Sequence, residues 1–406
     1  MRKTTLTIWL VSVVSVLCAV GTVRSQEKIS EVEKAELIKM PIVEKKPLVQ
    51  MAILLDTSGS MSGLIDQART ELWAIVNEFI FAKRNGLEPE IQVALYEYGK
   101  NSLPSEKGYI RQIVPFTTDL DKVSEEIFTL KTNGGDEYCG RVIKEASEQL
   151  KWSSSNDDLK VIFIAGNEPF TQGPVDYRQS CKAAISKDIV VNTIHCGSPS
   201  AGIEGKWKNG AMLADGQYMN IDHNRKAIHI DAPQDKEIAE LGIRLNETYI
   251  AYGKRGTFAY ERQSAQDRNA STASKESLLQ RAVTKASRNY RNEAWDLVDA
   301  LKNNNVQLED IKDEELPKEM QKMTAKERKA YVEAKTKRRD EMQQKIQQLN
   351  ERRKKYIAEQ MKKLQKEGGT LGSAVIKAVR DQAKEKNFTF ESSEKSSKNL
   401  EPDASQ

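Results

Sequence analysis

Short apolar runs alternate with helical patterns over the first 253 residues of the chain. The runs are almost continuously apolar, which is typical of strands buried on both faces of a parallel sheet. Strands and helices in alternation predict a doubly wound, mostly parallel α/β sheet with right-handed crossovers. The predicted strands cover residues 48–56, 90–98, 109–116, 160–165, 189–194 and 217–222, and the predicted helices cover residues 64–82, 119–130, 139–150, 175–186, 207–213 and 235–252.

The pattern changes after this α/β domain, to which we assign residues 47–253. Residues 254–274 have no sustained apolar period and predict a linker. Helical spacing returns over residues 275–385, so the second part of the chain is predicted to be α-helical. Its longest helix begins at a capping box formed by Thr324 and Glu327, and no residue breaks it before Gly368-Gly369.

A narrow apolar stripe along the long helix predicts an imperfect coiled-coil seam, which Arg353 interrupts. The stripe consists of Met342, Ile346, Leu349, Tyr356 or Ile357, Met361 and Leu364. It either folds back on the preceding helix or mediates self-association of the chain. The residues that follow the helical region, 386–406, are rich in Ser, Lys and Glu and predict a disordered tail.

Composition narrows the class of protein. The chain has 406 residues with a charged fraction of 30%, and its mean hydropathy of −0.62 excludes a multispan membrane protein. The net charge of +4 gives no general attraction to nucleic acid, so we predict no specific nucleic-acid partner. With 3 His residues and no nucleophile motif, the sequence predicts no enzymatic activity.

The N-terminus predicts export. Arg2 and Lys3 precede an uncharged stretch, and small side chains before Gln26 suit cleavage after Ser25. Residues 1–25 are therefore a predicted signal peptide and residues 26–46 a linker, in a periplasmic or secreted protein. An uncleaved membrane anchor is the alternative. Other membrane contact is expected only weakly, through the basic face of the long helix.

An exported protein lies in a compartment that permits disulfides. Three cysteines follow the signal segment, namely Cys139, Cys181 and Cys196. We predict one structural bridge and one free thiol among them, and the spacing does not indicate which pair forms the bridge.

Residues 51–62, with the sequence MAILLDTSGSMS, carry the most specific motif of the chain. A buried strand ends here in Asp56, Ser58 and Ser60, at the edge of the sheet where open α/β folds bind ligands. One carboxylate and two hydroxyls supply a partial oxygen shell for a hard cation such as Mg²⁺, which keeps several waters. This Asp-x-Ser-x-Ser loop resembles the metal-ion-dependent adhesion site of von Willebrand factor A domains.

The resemblance weakens at two further loops, which in this family supply a Thr and an Asp. Asp136 stands at the position of the Thr, and Gly166 stands at the position of the Asp. We hypothesise that Asp136 replaces the lost charge and that Asn167 joins the shell, so that a divalent cation still binds. Mg²⁺ is expected, with Mn²⁺ or Ca²⁺ as alternatives. A vestigial, metal-free site is the competing interpretation.

The resemblance, to exported bacterial von Willebrand A proteins with a helical C-terminal extension, implies binding rather than catalysis. In such domains the open position of the cation accepts an acidic side chain from a protein partner. We therefore expect an extracytoplasmic adhesion or complex-assembly module. The alternative is a metal-free structural scaffold whose C-terminal helices oligomerise or span the periplasm.

Overall fold

Six strands form the central sheet in the order β4-β3-β1-β5-β6-β7, and only β4, at one edge, runs antiparallel to its neighbour. A computed structural model describes residues 46–62, 65, 74–79, 82–221, 230–363 and 371–390. The sheet strands are β1 (Leu48–Asp56), β3 (Glu90–Tyr98), β4 (Ile110–Thr117), β5 (Leu159–Gly166), β6 (Val190–Cys196) and β7 (Tyr218–Ile221), while β2 (Ala82–Lys83) and β8 (Thr389–Phe390) pair separately.

The labelled helices follow the strands in the predicted alternation and then dominate the second part of the chain. They are α1 (Leu120–Thr129), α2 (Cys139–Gln149), α3 (Tyr177–Ile185), α4 (Pro199–Glu204), α5 (Trp207–Met212), α6 (Asp235–Arg244), α7 (Gly256–Ala273), α8 (Lys275–Lys285), α9 (Leu297–Lys302), α10 (Lys318–Gln321), α11 (Ala325–Lys363) and α12 (Leu371–Glu385). Residues 74–78 are helical as well. The predicted α/β class and the helical C-terminal region are therefore confirmed.

The apolar strands separate two hydrophobic layers. On one face, alternate residues of β1 such as Leu54 pack with α2, α3 and α5. On the other face, residues such as Met51 and Ile53 pack with α1 and with Val379 and Phe388 from the end of the chain. Because β1 lies in the middle of the sheet with buried residues on both faces, its C-terminal end is held rigidly.

The helical region packs against the sheet, so the chain from Lys46 onward forms one compact unit. Gln382 of α12 and Asn192 of β6 exchange two buried side-chain hydrogen bonds, of 2.7 and 3.0 Å. The Lys386 ammonium contacts the Asp188 carboxylate at 2.8 Å. Lys386 and buried Phe388 belong to the predicted disordered tail, so that prediction is wrong for residues 386–390, and the rest of the tail lies outside the described residues.

The predicted linker over residues 254–274 is also wrong, because most of it is helix α7. The helix escaped sequence analysis because its buried face is partly polar. Gln263 and Gln266 are almost fully buried, and Gln266 accepts a hydrogen bond of 3.1 Å from Ser124 of α1. A helix whose buried positions are amides shows no apolar period.

The long helix begins where the capping box predicts. The Thr324 backbone N–H donates to the Glu327 carboxylate at 2.8 Å. The first three residues of its apolar stripe, Met342, Ile346 and Leu349, pack on α6 and α8 in a hydrophobic cluster within the chain. Of the two predicted uses of the stripe, the structure shows the fold-back onto earlier helices. The predicted stop at Gly368-Gly369 lies outside the described residues.

Candidate functional site

The Asp56–Ser60 loop follows the C-terminal end of β1 and turns into a short 3₁₀ helix, Gly59–Met61. Asp56 Oδ1 accepts a hydrogen bond of 2.7 Å from the Ser58 backbone N–H, which closes the turn. The hydroxyls of Ser58 and Ser60 lie 2.8 Å apart. Ser60 Oγ also donates to Asn167 Oδ1 at 3.0 Å. Four of the five predicted site residues therefore meet at one rim of the sheet.

Asp56 carries a buried carboxylate that lacks a counter-charge. Its residue exposure is 0%, and its Oδ2 has no hydrogen-bond partner among the described residues. Burial raises the pKa of Asp56 to about 7, although hydrogen bonds from Ser58 and from the Asn167 backbone act in the opposite direction. A buried carboxylate beside two hydroxyls fits the oxygen ligands that a hard cation prefers.

The second loop differs from the sequence hypothesis. Among the described residues Asp136 makes no hydrogen bond to Ser58 or Ser60; its side chain is exposed and accepts a hydrogen bond of 3.3 Å from the Tyr138 hydroxyl. The next residue, Glu137, is 4% exposed and its carboxyl lies at the rim. Burial and the Asp56 charge raise the pKa of Glu137 to about 7, while the Ser58 side chain lowers it.

The ends of β1 and β3 and the loop between α1 and α2 approach so closely that glycine is required between the two carboxyls. Gly99 has a φ of +80°, and an added Cβ would lie 2.8 Å from Asp56 Oδ1 and 2.9 Å from Glu137 Cγ. The Asn133 backbone N–H donates to the Thr57 carbonyl at 3.0 Å and ties the first loop to the second. The Glu137 backbone N–H donates to Gln172 Oε1 at 2.6 Å, which fixes the second loop against the segment after β5.

The third loop lacks room for the acid that the family pattern expects. A Cβ at Gly166 would lie 2.5 Å from the Tyr98 hydroxyl, 3.0 Å from the Trp207 ring and 3.1 Å from Asp56 Oδ2. Tyr98 donates its hydroxyl to the Ala165 carbonyl at 3.0 Å. Buried aromatic groups therefore fill the position where a third-loop carboxylate would project.

His195 holds the backbone of Asn167 in place through a hydrogen bond. The Asn220 side-chain amide donates to the His195 and Gly197 carbonyls at 3.1 and 2.9 Å, and this identifies its nitrogen. The same nitrogen lies 3.2 Å from His195 Nδ1, which must therefore accept. His195 Nε2 thus carries the proton and donates to the Asn167 carbonyl at 3.2 Å. No local pattern in the sequence indicates this contact.

The predicted disulfide is not formed. Cys139, Cys181 and Cys196 are all free and buried. Burial raises the pKa of each thiol, in the case of Cys181 to about 12. These cysteines behave as small apolar residues of the sheet-helix interface rather than as a cross-link.

The described residues contain no group of three or more His, Cys, Asp or Glu side chains placed to hold a metal ion. Any cation at the rim would therefore depend on hydroxyls and water besides carboxylates. Within the same residues, no helix is both long enough and apolar enough to cross a membrane. The predicted signal peptide lies outside the described residues.

The fold and the loop define a class of α/β binding domain, and the family comparison agrees with it. Residues 50–203 match the von Willebrand factor type A domain model. Residues 50–203 are therefore a region with a von Willebrand factor type A domain, and a helical C-terminal region follows it. Domains of this family are in general protein-interaction modules, often with a divalent metal at the adhesion site.

Solved structures of similar fold come from several sources. BatB from Bacteroides thetaiotaomicron is 16% identical, over 43% of this chain and 90% of its own, with a TM-score of 0.34. The SpRpn10 VWA domain is 17% identical, over 44% of this chain and 90% of its own, also at 0.34. The mussel byssus protein PTMP1, in a structure with a zinc-occupied metal-ion-dependent adhesion site (MIDAS) motif, is 11% identical. The match covers 44% of this chain and 43% of PTMP1, with a TM-score of 0.32. No curated protein matched the chain.

Proposed function

We propose that the chain is an extracytoplasmic protein-binding module, in which the Asp56–Ser60 loop holds a divalent cation and a partner contributes an acidic side chain to that ion. The observation that carries the proposal is the buried Asp56 Oδ2 atom, which has no hydrogen-bond partner among the described residues. A buried carboxylate without a partner costs free energy unless a ligand compensates it.

The residues present fit a hard divalent cation. Asp56, Ser58 and Ser60 offer carboxylate and hydroxyl oxygens, and Asn167 Oδ1 lies within hydrogen-bond distance of Ser60. Mg²⁺ prefers such ligands and retains several waters, while Mn²⁺ and Ca²⁺ accept the same donors. The cation would supply the positive charge that attracts an acidic partner.

The extracytoplasmic location rests on the predicted signal peptide of residues 1–25. Cleavage after Ser25 would release the module, and retention of the segment would anchor it. In either case the Asp56–Ser60 loop would face a compartment outside the cytoplasm.

A metal-free scaffold is the second candidate. It is supported by the absence of a three-residue His/Cys/Asp/Glu metal cluster from the described residues. The close packing of α12 on the sheet also supports it, because the helical region is then a structural part of one unit. A scaffold would bind its neighbours with or without a divalent cation.

Calorimetric titration of Mg²⁺, Mn²⁺ and Ca²⁺ into residues 26–406 tests the cation. We expect saturable binding by the wild-type chain and none by Asp56→Ala. No binding heat for the wild type would favour the scaffold.

Capture of partners from envelope extract tests the binding function. We expect a specific partner to be retained with Mg²⁺ and lost with EDTA or with Ser60→Ala. Ser200→Ala is a matched control, because Ser200 is exposed in the helix that follows β6 and its hydroxyl contacts Ser198 rather than Asp56 or Ser60. Capture that is indifferent to EDTA and to Ser60→Ala would contradict the proposal.

A further inference from the structure

Two neighbouring acids of the second loop have opposite surroundings. Asp136 is exposed and is engaged with Tyr138, whereas Glu137 is buried at the rim. The Glu137 side chain and the Asp56 carboxylate both lie within 3 Å of the point where a Gly99 Cβ would stand. The rim therefore carries two convergent carboxyls, one from the end of β1 and one from the loop between α1 and α2.

The site also has a closed side. Tyr98 and Trp207 fill the space above Gly166, at the position where the von Willebrand A pattern expects the third-loop acid. The second negative charge lies instead beside Gly99, in the carboxyl of Glu137. The unpartnered Oδ2 atom of Asp56 faces the Gly166 side, at 3.1 Å from the added Cβ.

From this placement we infer that Glu137, and not Asp136, is the second acidic ligand of the cation, and that Tyr98 takes the place of the lost third-loop carboxylate. This inference rests on the proposed function. Two protein carboxylates balance the charge of a divalent ion without help from a partner. The isolated chain then holds its cation, and an acidic partner side chain adds to a site that is already loaded.

Glu168 marks the outer rim of the same site. The Asn167 side-chain amide donates to the Glu168 carboxylate at 3.4 Å, so this acid lies beside the Asn167 end of the site. Glu168 is partly exposed, and its backbone carbonyl accepts a hydrogen bond of 2.8 Å from Trp207. We assign it an attraction for the incoming cation rather than a ligand position.

The adjacent acids provide a matched test by calorimetric titration of Mn²⁺ into residues 26–406. Glu137→Gln and Asp136→Asn remove the same charge from the same loop. We expect Glu137→Gln to weaken Mn²⁺ binding at least about tenfold. Asp136→Asn should bind within about twofold of the wild type, because its carboxylate lies outside the shell.

Two controls separate the inference from the proposed function. If Asp56→Asn abolishes binding while Glu137→Gln binds like the wild type, the assignment of Glu137 fails and the cation site remains. If the wild type itself does not bind Mn²⁺, the proposed cation site and this inference both fail. Thermal unfolding in EDTA checks the fold of each variant, and Glu137→Gln should be at least as stable as the wild type because it removes a buried carboxylate.

Discussion

Buried charges occur in both the sheet rim and the helical region, but their surroundings differ. In the helical region, Arg339 lies between Asp296 and Asp299, with Nη1 2.7 Å from the Asp299 carboxylate. Arg353, the residue that interrupts the apolar stripe, pairs with Asp235 at 2.7 Å and with Glu276. At the rim, by contrast, Asp56 faces hydroxyls and another acid.

This difference separates structural charge from functional charge. Paired buried ions hold segments together, and removal of one partner leaves the other uncompensated. A buried carboxylate without a counter-charge is kept at a cost in free energy that a bound cation would offset. Substitutions in the helical region and at the rim test this contrast.

The largest effect is expected for Arg339→Met. The substitution leaves Asp296 and Asp299 buried without their cation and removes the guanidinium that stacks 4.4 Å from the centroid of the Tyr249 ring. We expect a loss of about 3–5 kcal/mol in the free energy of unfolding, measured by urea denaturation. Lys302→Met, which breaks an exposed ion pair with Asp340, is the control and should cost less than about 1 kcal/mol.

Gly166→Asp, which restores the acid of the family pattern, should destabilise the chain. Its Cβ would lie 2.5 Å from the Tyr98 hydroxyl and 3.0 Å from Trp207, so the aromatic groups must move. We expect a loss of about 1–3 kcal/mol in urea denaturation and no gain in Mn²⁺ affinity by calorimetry. Tighter Mn²⁺ binding by this variant would show that the third-loop position is open.

Asp56→Asn should raise the free energy of unfolding in the absence of metal. At pH 8 the Asp56 carboxyl is ionised, because its pKa is about 7, and the amide removes that buried charge while it keeps the side-chain shape. We expect the variant to be about 1–2 kcal/mol more stable than the wild type in EDTA, by urea denaturation. Lower stability of the variant in EDTA would mean that the carboxylate is structural.

The smallest effect is expected for the cysteines. Burial raises the pKa values of Cys139, Cys181 and Cys196, so these thiols stay protonated and covered in the folded chain. Alkylation of the native protein should not increase between pH 7 and 9, whereas the urea-unfolded chain should react faster as the pH rises through the ordinary thiol pKa of about 8.5. Mass spectrometry of unreduced, denatured chains that shows only one of these three thiols alkylated would instead indicate a disulfide between the other two.

The sheet could be predicted from the sequence because its strands are nearly continuous apolar runs, and the first loop could be predicted because its polar residues are adjacent. Glu137 could not be distinguished from Asp136, since the direction of each side chain depends on how the loop passes Gly99. Helix α7 was hidden by its buried glutamines, and the partners of Arg353, Asp235 and Glu276, lie 118 and 77 residues away along the chain. The missed features depend on contacts between distant segments, which no local pattern contains.

We propose that Asp56, Ser58, Ser60 and Glu137 bind one divalent cation together. The most direct measurement is a crystal structure of residues 26–406 grown with Mn²⁺, with anomalous scattering recorded at the manganese edge. We predict a single strong anomalous peak within coordination distance of the Asp56 and Glu137 carboxylates. A peak beside Asp136, or no peak at this rim in crystals that contain Mn²⁺, would contradict the account.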